Sequence, residues 1–173
     1  GVLNYGSAGV CSSSHLAGAM FVSAAKINVV HVHFRTGTDS RTALINGAVQ
    51  FYVYPLPAIM TLLQAGTLKA IAVASLKRAA AVPDVPTTAE SGFPQYRSES
   101  WFGIIAPARL PKPVVARLNA DLVAVLKEPD TRERFVRQGA EPGFGSPADF
   151  QNMQRDEYAQ LATLIREIGM KLQ

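Results

Sequence analysis

The sequence LNYGSAGVCSSSHLA, residues 3–17, has the pattern of a short strand, a loop of glycine and serine, and the start of a helix. A helix N-terminus carries unpaired backbone N–H groups and partial positive charge, so a small anion can bind there. Glycine lets the backbone approach a ligand, and serine hydroxyls can cap the helix or donate hydrogen bonds. We therefore predict that a carboxylate or similar anion binds this glycine–serine loop, residues 7–14. The loop residues assigned to the site are Ser7, Ala8, Gly9, Ser12, Ser13 and Ser14.

Two alternatives share the pattern of this loop. One is an ordinary strand-to-helix connection with Ser12, Ser13 or Ser14 as the N-cap. The other is a small-molecule-acting α/β enzyme of the hydrolase type that uses serine and histidine residues of the loop. Tyr5 stands where a nucleophile elbow has its first glycine, and neither a P-loop ending nor a dinucleotide fingerprint occurs. We therefore predict no catalytic residues.

The composition is that of a globular protein and argues against several function classes. Hydrophobic residues make up 48% and charged residues 17% of the chain, which excludes a disordered chain. The net charge is +4, but lysine and arginine are scattered singly, so we predict an anionic small molecule as partner and no nucleic acid. Cys11 is the single cysteine and cannot form an internal disulfide. No apolar run has transmembrane length, and no secretion signal opens the sequence.

A second loop repeats the arrangement of the first. Residues 29–34 are strand-like, and residues 36–39 then combine glycine with hydroxyl and acidic side chains before a helix. Two helix N-termini thus follow two neighbouring strands, which is where open α/β sheets bind ligands. We predict that the second loop forms the adjacent wall of the site, through Thr36, Gly37, Thr38 and Asp39.

Strands and helices alternate along the chain, which predicts an α/β fold with a largely parallel sheet. Further predicted elements are strands 49–54, 68–74 and 101–106, helices 15–25, 42–46 and 58–65, and a capping box at Thr87 and Glu90. The composition changes near Glu99. Two further helices are predicted, one starting near Pro111 and one running from near Ser146 to Ile168, and both carry apolar stripes. Only one predicted strand, residues 101–106, is there to cover these stripes. We therefore predict that the chain self-associates.

Several motifs, in this order along the chain, resemble one family. They are Asn4-Tyr5-Gly6-Ser7-Ala8-Gly9, Ser14-His15-Leu16-Ala17, Pro83-Asp84-Val85-Pro86-Thr87, Ser100-Trp101-Phe102-Gly103, Pro113-Val114-Val115-Ala116-Arg117-Leu118-Asn119 and Gly139-Ala140-Glu141-Pro142. Together they resemble the Bug (TctC-like) family, the extracytoplasmic solute-binding proteins of tripartite tricarboxylate transporters. The resemblance implies a periplasmic receptor, not an enzyme, that binds a small carboxylate without a cofactor and delivers it to membrane transporter subunits.

The resemblance also implies the fold and the division of the chain. Members of the family have two lobes of the periplasmic-binding-protein type II, and their chain builds half of lobe one, then lobe two, then returns to lobe one. We expect residues 1–98 to form lobe two, the ligand-binding α/β domain. We expect residues 99–173 to form the returning part of lobe one, a hinge strand and helices. On this expectation the first half of lobe one and the secretion signal are absent from the sequence.

Departures from the family pattern concern the ligand. Cys11 stands where glycine is usual, and Gln50 and Tyr54 stand where aspartates are usual. We assign Tyr54 to the site, and the loss of an acid there favours a less polar carboxylate over an amino acid or a citrate-like ligand. His31 and His33 share one face of a strand, but no third ligand lies at a useful spacing, so we predict no metal site.

Overall fold

The structure, a computed structural model, describes residues 3–167 and Gly169. Within these residues the N-terminal part alternates strands with helices, whereas the C-terminal part from Lys112 onward contains helices alone. The architecture is therefore of the predicted α/β class. In this described part, no helix is both long and apolar enough to cross a membrane.

Two short parallel strands form the centre of the N-terminal part. Strand β1 (Leu3–Ser7) pairs with strand β2 (Val29–His33), and Ser7 lies opposite His33. Both strands therefore end at the same edge of the sheet. Phe51 adds a single parallel bridge on the other side of β1, so β1 lies between two neighbours.

A helix follows each of these strands. Helix α1 (Ser13–Ala25) follows β1, and helix α2 (Gly37–Ile45) follows β2. Both begin earlier than the apolar pattern predicts, because the first turn of a helix carries polar capping residues that such a pattern does not mark. Helix α1 packs on Tyr5, which is buried, and a Cβ atom at Gly18 would lie 2.3 Å from the Tyr5 ring. The missing side chain at Gly18 thus lets α1 approach the sheet.

The later predicted strands are shorter than expected or absent. Within residues 49–54 only Phe51 forms a bridge, and within residues 68–74 only Val73 does. Residues 101–106 have no strand partner in the described chain. These three predictions are wrong in extent, because a strand needs a neighbour to accept its hydrogen bonds, and hydropathy does not show whether one is present.

The helix predicted over residues 58–65 is divided in two. A 3-10 turn (Leu56–Ala58) comes first, and helix α3 (Met60–Gln64) follows it. Ile59 separates them, with φ −126° and ψ −1°. The chain after Phe51 therefore continues into two short helical turns, residues 56–58 and 60–64, instead of one continuous helix.

The capping box predicted at Thr87 and Glu90 is formed. Glu90 Oε2 accepts a hydrogen bond from Thr87 N at 2.7 Å, and Thr87 Oγ1 accepts one from Glu90 N at 3.1 Å. The Arg78 guanidinium and the Thr87 N–H hold the pKa of Glu90 at about 2. The residues that follow Thr87 form turns and not the helix that a capping box ordinarily begins. Tyr96 then donates to the carbonyl oxygen of Ala17 at 3.0 Å, which fastens this segment to α1.

Three helices make up the C-terminal part: α4 (Lys112–Lys127), α5 (Pro129–Arg137) and α6 (Pro147–Glu167). Helices α4 and α6 confirm the two helices predicted from the sequence, whereas α5 was not predicted. Ile168, which the apolar pattern assigns to the last helix, lies outside the described residues. Neither α4 nor α5 contains a buried residue.

The segment before α4 carries large apolar side chains on its surface. Phe102 is 80% exposed, Ile104 is 73% exposed and Ile105 is 83% exposed. Trp101 contacts α6 edge-on, with its ring centroid 5.0 Å from that of Phe150. The segment before α4 therefore leaves an apolar surface uncovered within the described chain. Also exposed are three residues of the predicted stripe on α4, namely Val114, Leu118 and Val125.

Replacing Gly18 by alanine tests the contact between α1 and the sheet. Alanine favours a helix over glycine by about 1 kcal/mol, so without that contact the change would stabilise α1. Because the new methyl group meets the Tyr5 ring, we expect Gly18→Ala to lower the free energy of unfolding by about 1–3 kcal/mol. Urea denaturation measures this. Gly143→Ala, where nothing lies within 4 Å of the new Cβ, is the matched control, and a stabilised Gly18→Ala would contradict the packing.

Candidate functional site

Ser7 is the last residue of β1 and opens the glycine–serine loop. It has no exposed surface, its Oγ lies 2.7 Å from Nε2 of His31, and its hydroxyl donates to the Gly9 carbonyl oxygen at 3.1 Å. Gly9 has a φ of 133°, a conformation that suits glycine. A serine–histidine pair is what the hydrolase alternative would require, but a fully buried Ser7 cannot reach a substrate. Ser7 therefore shapes the loop.

The serines at the start of α1 have separate roles. Ser12 is the N-cap: its Oγ accepts from His15 N at 3.2 Å and donates to the Gly9 carbonyl oxygen at 2.7 Å. Ser14 Oγ accepts from Ala8 N at 3.1 Å. Of these three serines, Ser13 alone has a hydroxyl without a partner in the described chain. The ordinary capping role thus belongs to Ser12, and the Ser13 side chain stays available.

Free backbone N–H groups lie in the same place. Among the described residues, no atom accepts a hydrogen bond from the N–H groups of Val10, Ser13 or Ser14. The first turn of a helix also carries the positive end of the helix dipole. The start of α1 can therefore accept a carboxylate without breaking an existing hydrogen bond.

The start of α2 repeats this arrangement. Thr36 is the N-cap, with Oγ1 accepting from Asp39 N at 3.1 Å and donating to Asp39 Oδ2 at 2.8 Å. Thr38 accepts from Arg41 Nη2 at 3.0 Å through its hydroxyl. The N–H groups of Gly37 and Thr38 have no acceptor in the described chain. Gly37 and Thr38 thus offer donors to a ligand, whereas Thr36 and Asp39 cap each other.

Two stacked tyrosines join the starts of α1 and α2. The rings of Tyr52 and Tyr54 lie 3.8 Å apart at an angle of 14°. Tyr52 donates to Ser14 Oγ at 3.0 Å, and Tyr54 donates to the Gly37 carbonyl oxygen at 2.6 Å. Ser40, which is fully buried, lies between them, with its Oγ 3.4 Å from the Tyr52 hydroxyl and 2.8 Å from the Tyr54 hydroxyl. We name these two tyrosines and Ser40 the tyrosine bridge.

Of the three residues of the tyrosine bridge, the sequence indicates Tyr54 as a ligand residue but does not indicate Tyr52 or Ser40. The spacing of two between the tyrosines would have indicated a shared face. Nothing local pointed to Ser40, which meets the bridge through the packing of α2. Burial raises the pKa of Tyr54 to about 12, so its hydroxyl is neutral at physiological pH.

Two histidines lie beneath the loop. His15 and His31 are stacked with their ring centroids 3.8 Å apart and their planes at 6°. His15 Nδ1 accepts from Cys11 N at 3.0 Å, and Cys11 has a φ of 61°, which is unusual outside glycine. The described residues contain no group of three or more histidine, cysteine or acidic residues that could hold a metal. These rings therefore support the loop.

A cavity of about 370 Å³ separates the start of α1 from the C-terminal part. Its walls carry two carboxylates, a tryptophan and the free Ser13. Glu157 accepts from Trp101 Nε1 at 2.5 Å, and Glu99 forms an ion pair with Arg97 at 3.0 Å. The lining residues are Ser13, Pro55, Glu99, Ser100, Trp101, Phe102, Glu157 and Leu161.

Proteins of known sequence and structure resemble this chain over nearly its whole length. The chain is 31% identical over 168 residues to the UPF0065 protein in the tcbD-tcbE intergenic region of Pseudomonas sp. (strain P51), covering 96% of this chain and 50% of that protein. The structure of Rpa4515 from R. palustris with adipate matches with a TM-score of 0.91 at 32% identity, covering 97% of this chain and 56% of that one.

Two further solved structures extend the likeness. The periplasmic binding protein BugD matches with a TM-score of 0.86 at 31% identity, covering 99% of this chain and 58% of its own. MatC from Rhodopseudomonas palustris with bound malate matches with a TM-score of 0.82 at 28% identity, covering 94% of this chain and 56% of that one. The chain thus spans about half the length of the proteins it matches. Their fold confirms the predicted periplasmic-binding-protein class.

The family assignment follows from the family model that matches this sequence. The model for the tripartite tricarboxylate transporter family receptor, TctC, matches residues 1–170. Its members and the structural neighbours are solute-binding proteins, which sets aside the hydrolase alternative. The chain belongs to the TctC family of tripartite tricarboxylate transporter receptors, as its motifs indicated.

Proposed function

We propose that this chain is the solute-binding part of an extracytoplasmic receptor for a small dicarboxylate. The observation that carries the proposal is the pair of helix starts with free N–H groups, held together by the tyrosine bridge. Adipate and malate, the ligands of two structurally similar proteins, are both dicarboxylates. The same ligand class suits two neighbouring anion-binding helix starts.

One carboxylate of the ligand binds at the start of α1. It accepts hydrogen bonds from the N–H groups of Val10, Ser13 and Ser14, and the Ser13 hydroxyl adds a further donor. Hydrogen bonds to a charged group contribute about 1.5–3 kcal/mol each. Because the donors are already oriented by the cap and the tyrosine bridge, little ordering is required on binding.

The second carboxylate of the ligand lies toward α2. Glu99 and Glu157 occupy the opposite wall of the cavity, and like charges repel in a partly desolvated space. The free N–H groups of Gly37 and Thr38 lie on the side of the tyrosine bridge instead. The charges of the site thus direct a dicarboxylate along the line from α1 to α2.

The site favours a less polar dicarboxylate over an amino acid. Tyr54 and Gln50 are uncharged, so the segment around Phe51 offers no carboxylate to an ammonium group. An apolar ligand chain suits the aromatic and proline side chains of the cavity.

Residues 1–98 form one lobe of the receptor and residues 99–173 belong to the other. The cavity beside Ser13 is then part of the cleft between them, since it is lined from both parts. Two-lobed receptors close on their ligands by a hinge movement, which removes the ligand from water. Residues near Glu99 link the two parts and are the proposed hinge.

The periplasm is the proposed location, and subunits of a membrane transporter are the proposed partners that receive the solute. The family is one of transporter receptors, and the similar protein BugD is a periplasmic binding protein. The proposed contacts to the ligand come from backbone and side-chain donors alone, with no cofactor and no metal.

Replacing Ser13 by proline removes two proposed donors, the backbone N–H and the hydroxyl. Ser13 is the first residue of α1, where proline is tolerated, and Ser12 has the extended conformation that a following proline requires. We expect Ser13→Pro to bind adipate about tenfold to a hundredfold more weakly than Ser13→Ala, because both variants lack the hydroxyl and only the proline lacks the N–H to a charged group. Isothermal titration calorimetry measures the affinity. Ser13→Ala keeps the N–H group and isolates the hydroxyl, and unchanged affinity in both variants would exclude the site.

Replacing Tyr54 by aspartate tests ligand selection. A carboxylate at this position offers an ammonium group the charge partner that tyrosine lacks. We expect Tyr54→Asp to raise the affinity for glutamate relative to adipate, in a calorimetric comparison of the two ligands. Tyr54→Asn is the matched control, since it removes the ring without adding charge. An identical ligand ranking in the original protein and both variants would refute the proposed selection.

We also propose that the chain self-associates through the segment before α4. Each large apolar side chain left in water costs about 1.5–3 kcal/mol relative to burial, and Phe102, Ile104 and Ile105 lie together there. Light scattering after size-exclusion chromatography is expected to give a dimer or larger species, and Phe102→Ser with Ile104→Ser to raise the monomer fraction. Leu76→Ser, at an exposed leucine elsewhere, is the control. A monodisperse monomer of the original chain would contradict self-association.

A further inference from the structure

A second cavity, also of about 370 Å³, is lined by residues of α1, β1 and β2. The stacked rings of His15 and His31 form part of its wall, next to Tyr5. The other lining residues are Ala19, Val22, Ser23 and Val29. Within the described residues no histidine forms an ion pair with a carboxylate. Two imidazoles therefore meet in a setting that contains no opposite charge.

His15 holds the loop at the atom that a proton would occupy, whereas His31 donates from Nε2 to Ser7 Oγ, whose own hydrogen goes to the Gly9 carbonyl oxygen. A second proton on His31 would therefore leave that contact intact and act through repulsion within the stacked pair. His15 Nδ1 accepts the N–H of Cys11, whose left-handed backbone turns the chain toward the free N–H groups of α1. His31 Nε2 lies 2.7 Å from Ser7 Oγ, and Ser7 in turn contacts both the carbonyl oxygen and the N–H of Gly9. One histidine thus holds each end of the turn formed by residues 7–12.

The groups that face the two rings do not stabilise a positive charge on either imidazole. Tyr5 faces them from β1, and burial raises its pKa to about 12, so it is neutral. His33 faces them from β2, and its charge adds to the repulsion. Burial, followed by the neighbouring histidines, lowers the pKa of His31 to about 4, and burial with His33 lowers the pKa of His15. A proton on His15 Nδ1 would also meet the N–H of Cys11 directly.

We propose that His15 and His31 are positioning residues that hold the glycine–serine loop in its anion-binding form only while both are uncharged. The proposed receptor then releases its dicarboxylate as the solution becomes mildly acidic. This inference rests on the proposed function, because it concerns the same loop. It adds a regulatory property to residues that do not touch the ligand.

The sign of the effect follows from linkage. A histidine whose pKa is lowered in the closed loop binds a proton more readily once the loop opens, so acid favours the open loop. The effect is small above the ordinary histidine pKa of about 6.5 and grows as the pH falls toward about 4. Between pH 7.5 and 5.5, one histidine that must stay uncharged in the closed loop shifts the opening equilibrium by at most about tenfold.

The experiment compares adipate affinity at pH 7.5 and 5.5 in the original chain and its variants, so that protonation of the ligand's second carboxylate at pH 5.5 affects each of them equally. In the double variant His15→Asn with His31→Gln, the amide groups replace Nδ1 and Nε2 but do not titrate. We expect the original chain to lose more affinity than the double variant at pH 5.5, by up to about tenfold. We expect His33→Gln, which removes one source of repulsion but keeps His15 and His31, to lose affinity to a smaller extent than the original chain.

Several outcomes would overturn the proposal. Affinity of the original chain that is constant or rises at pH 5.5 would do so, as would an equal loss in the double variant. Should the double variant not fold, histidine titration by NMR in the original chain decides, because adipate must lower the pKa of His15 and His31 if it favours the closed loop. An unchanged or raised pKa contradicts the proposal. Absence of adipate binding at pH 7.5 would instead contradict the proposed function itself.

Discussion

The structure depends on the parallel pairing of β1 with β2, because that pairing brings two helix starts to one edge of the sheet. Parallel strands run in the same direction, so the loops that follow them leave from the same edge. Ser7 and His33 are opposite each other at this edge, and α1 and α2 begin a few residues later. The free N–H groups of both helices are therefore neighbours because of strand register. The proposed site uses both helix starts, which a single helix end would not offer.

Hydrogen bonds inside the protein make this edge rigid and leave a small set of donors for a ligand. In the described chain, no buried side-chain nitrogen or oxygen lacks a hydrogen-bond partner. Ser7 and Ser40 have no exposed surface, and both are engaged in holding loops. An unpaired buried hydroxyl costs about 1–3 kcal/mol, so these bonds resist rearrangement. In the proposed site, the donors left for a ligand are backbone N–H groups and the Ser13 hydroxyl.

The N-terminal and C-terminal parts of the chain differ in how far they bury their own apolar side chains. In the N-terminal part, Tyr5, Ala17 and Tyr96 are buried around β1 and α1, which supplies a core. In the C-terminal part, α4 and α5 have no buried residue, and large apolar side chains precede α4 on the surface. The chain also spans about half the length of the proteins it resembles. The apolar surface of the C-terminal part is therefore suited to contact with further protein.

Features that depend on a few neighbouring residues could be predicted from the sequence alone. The Ser12 cap, the capping box of Thr87 and Glu90, and the succession of strand, loop and helix are of this kind, because their hydrogen bonds join residues within one turn. Family motifs along the chain added the receptor fold. The sequence also predicted that the C-terminal helices lack a sheet.

Other features required the tertiary structure. His15 and His31 stack because strand pairing and helix packing bring together residues that are distant in sequence, and the tyrosine bridge meets Ser40 for the same reason. Residues 101–106 have the composition of a strand, but composition cannot supply the neighbour that a strand needs. Short-range hydrogen bonds were thus determined by sequence. Contacts across the fold were decided by the pairing of β1 with β2 and by the packing of the helices, because these fix which distant side chains meet.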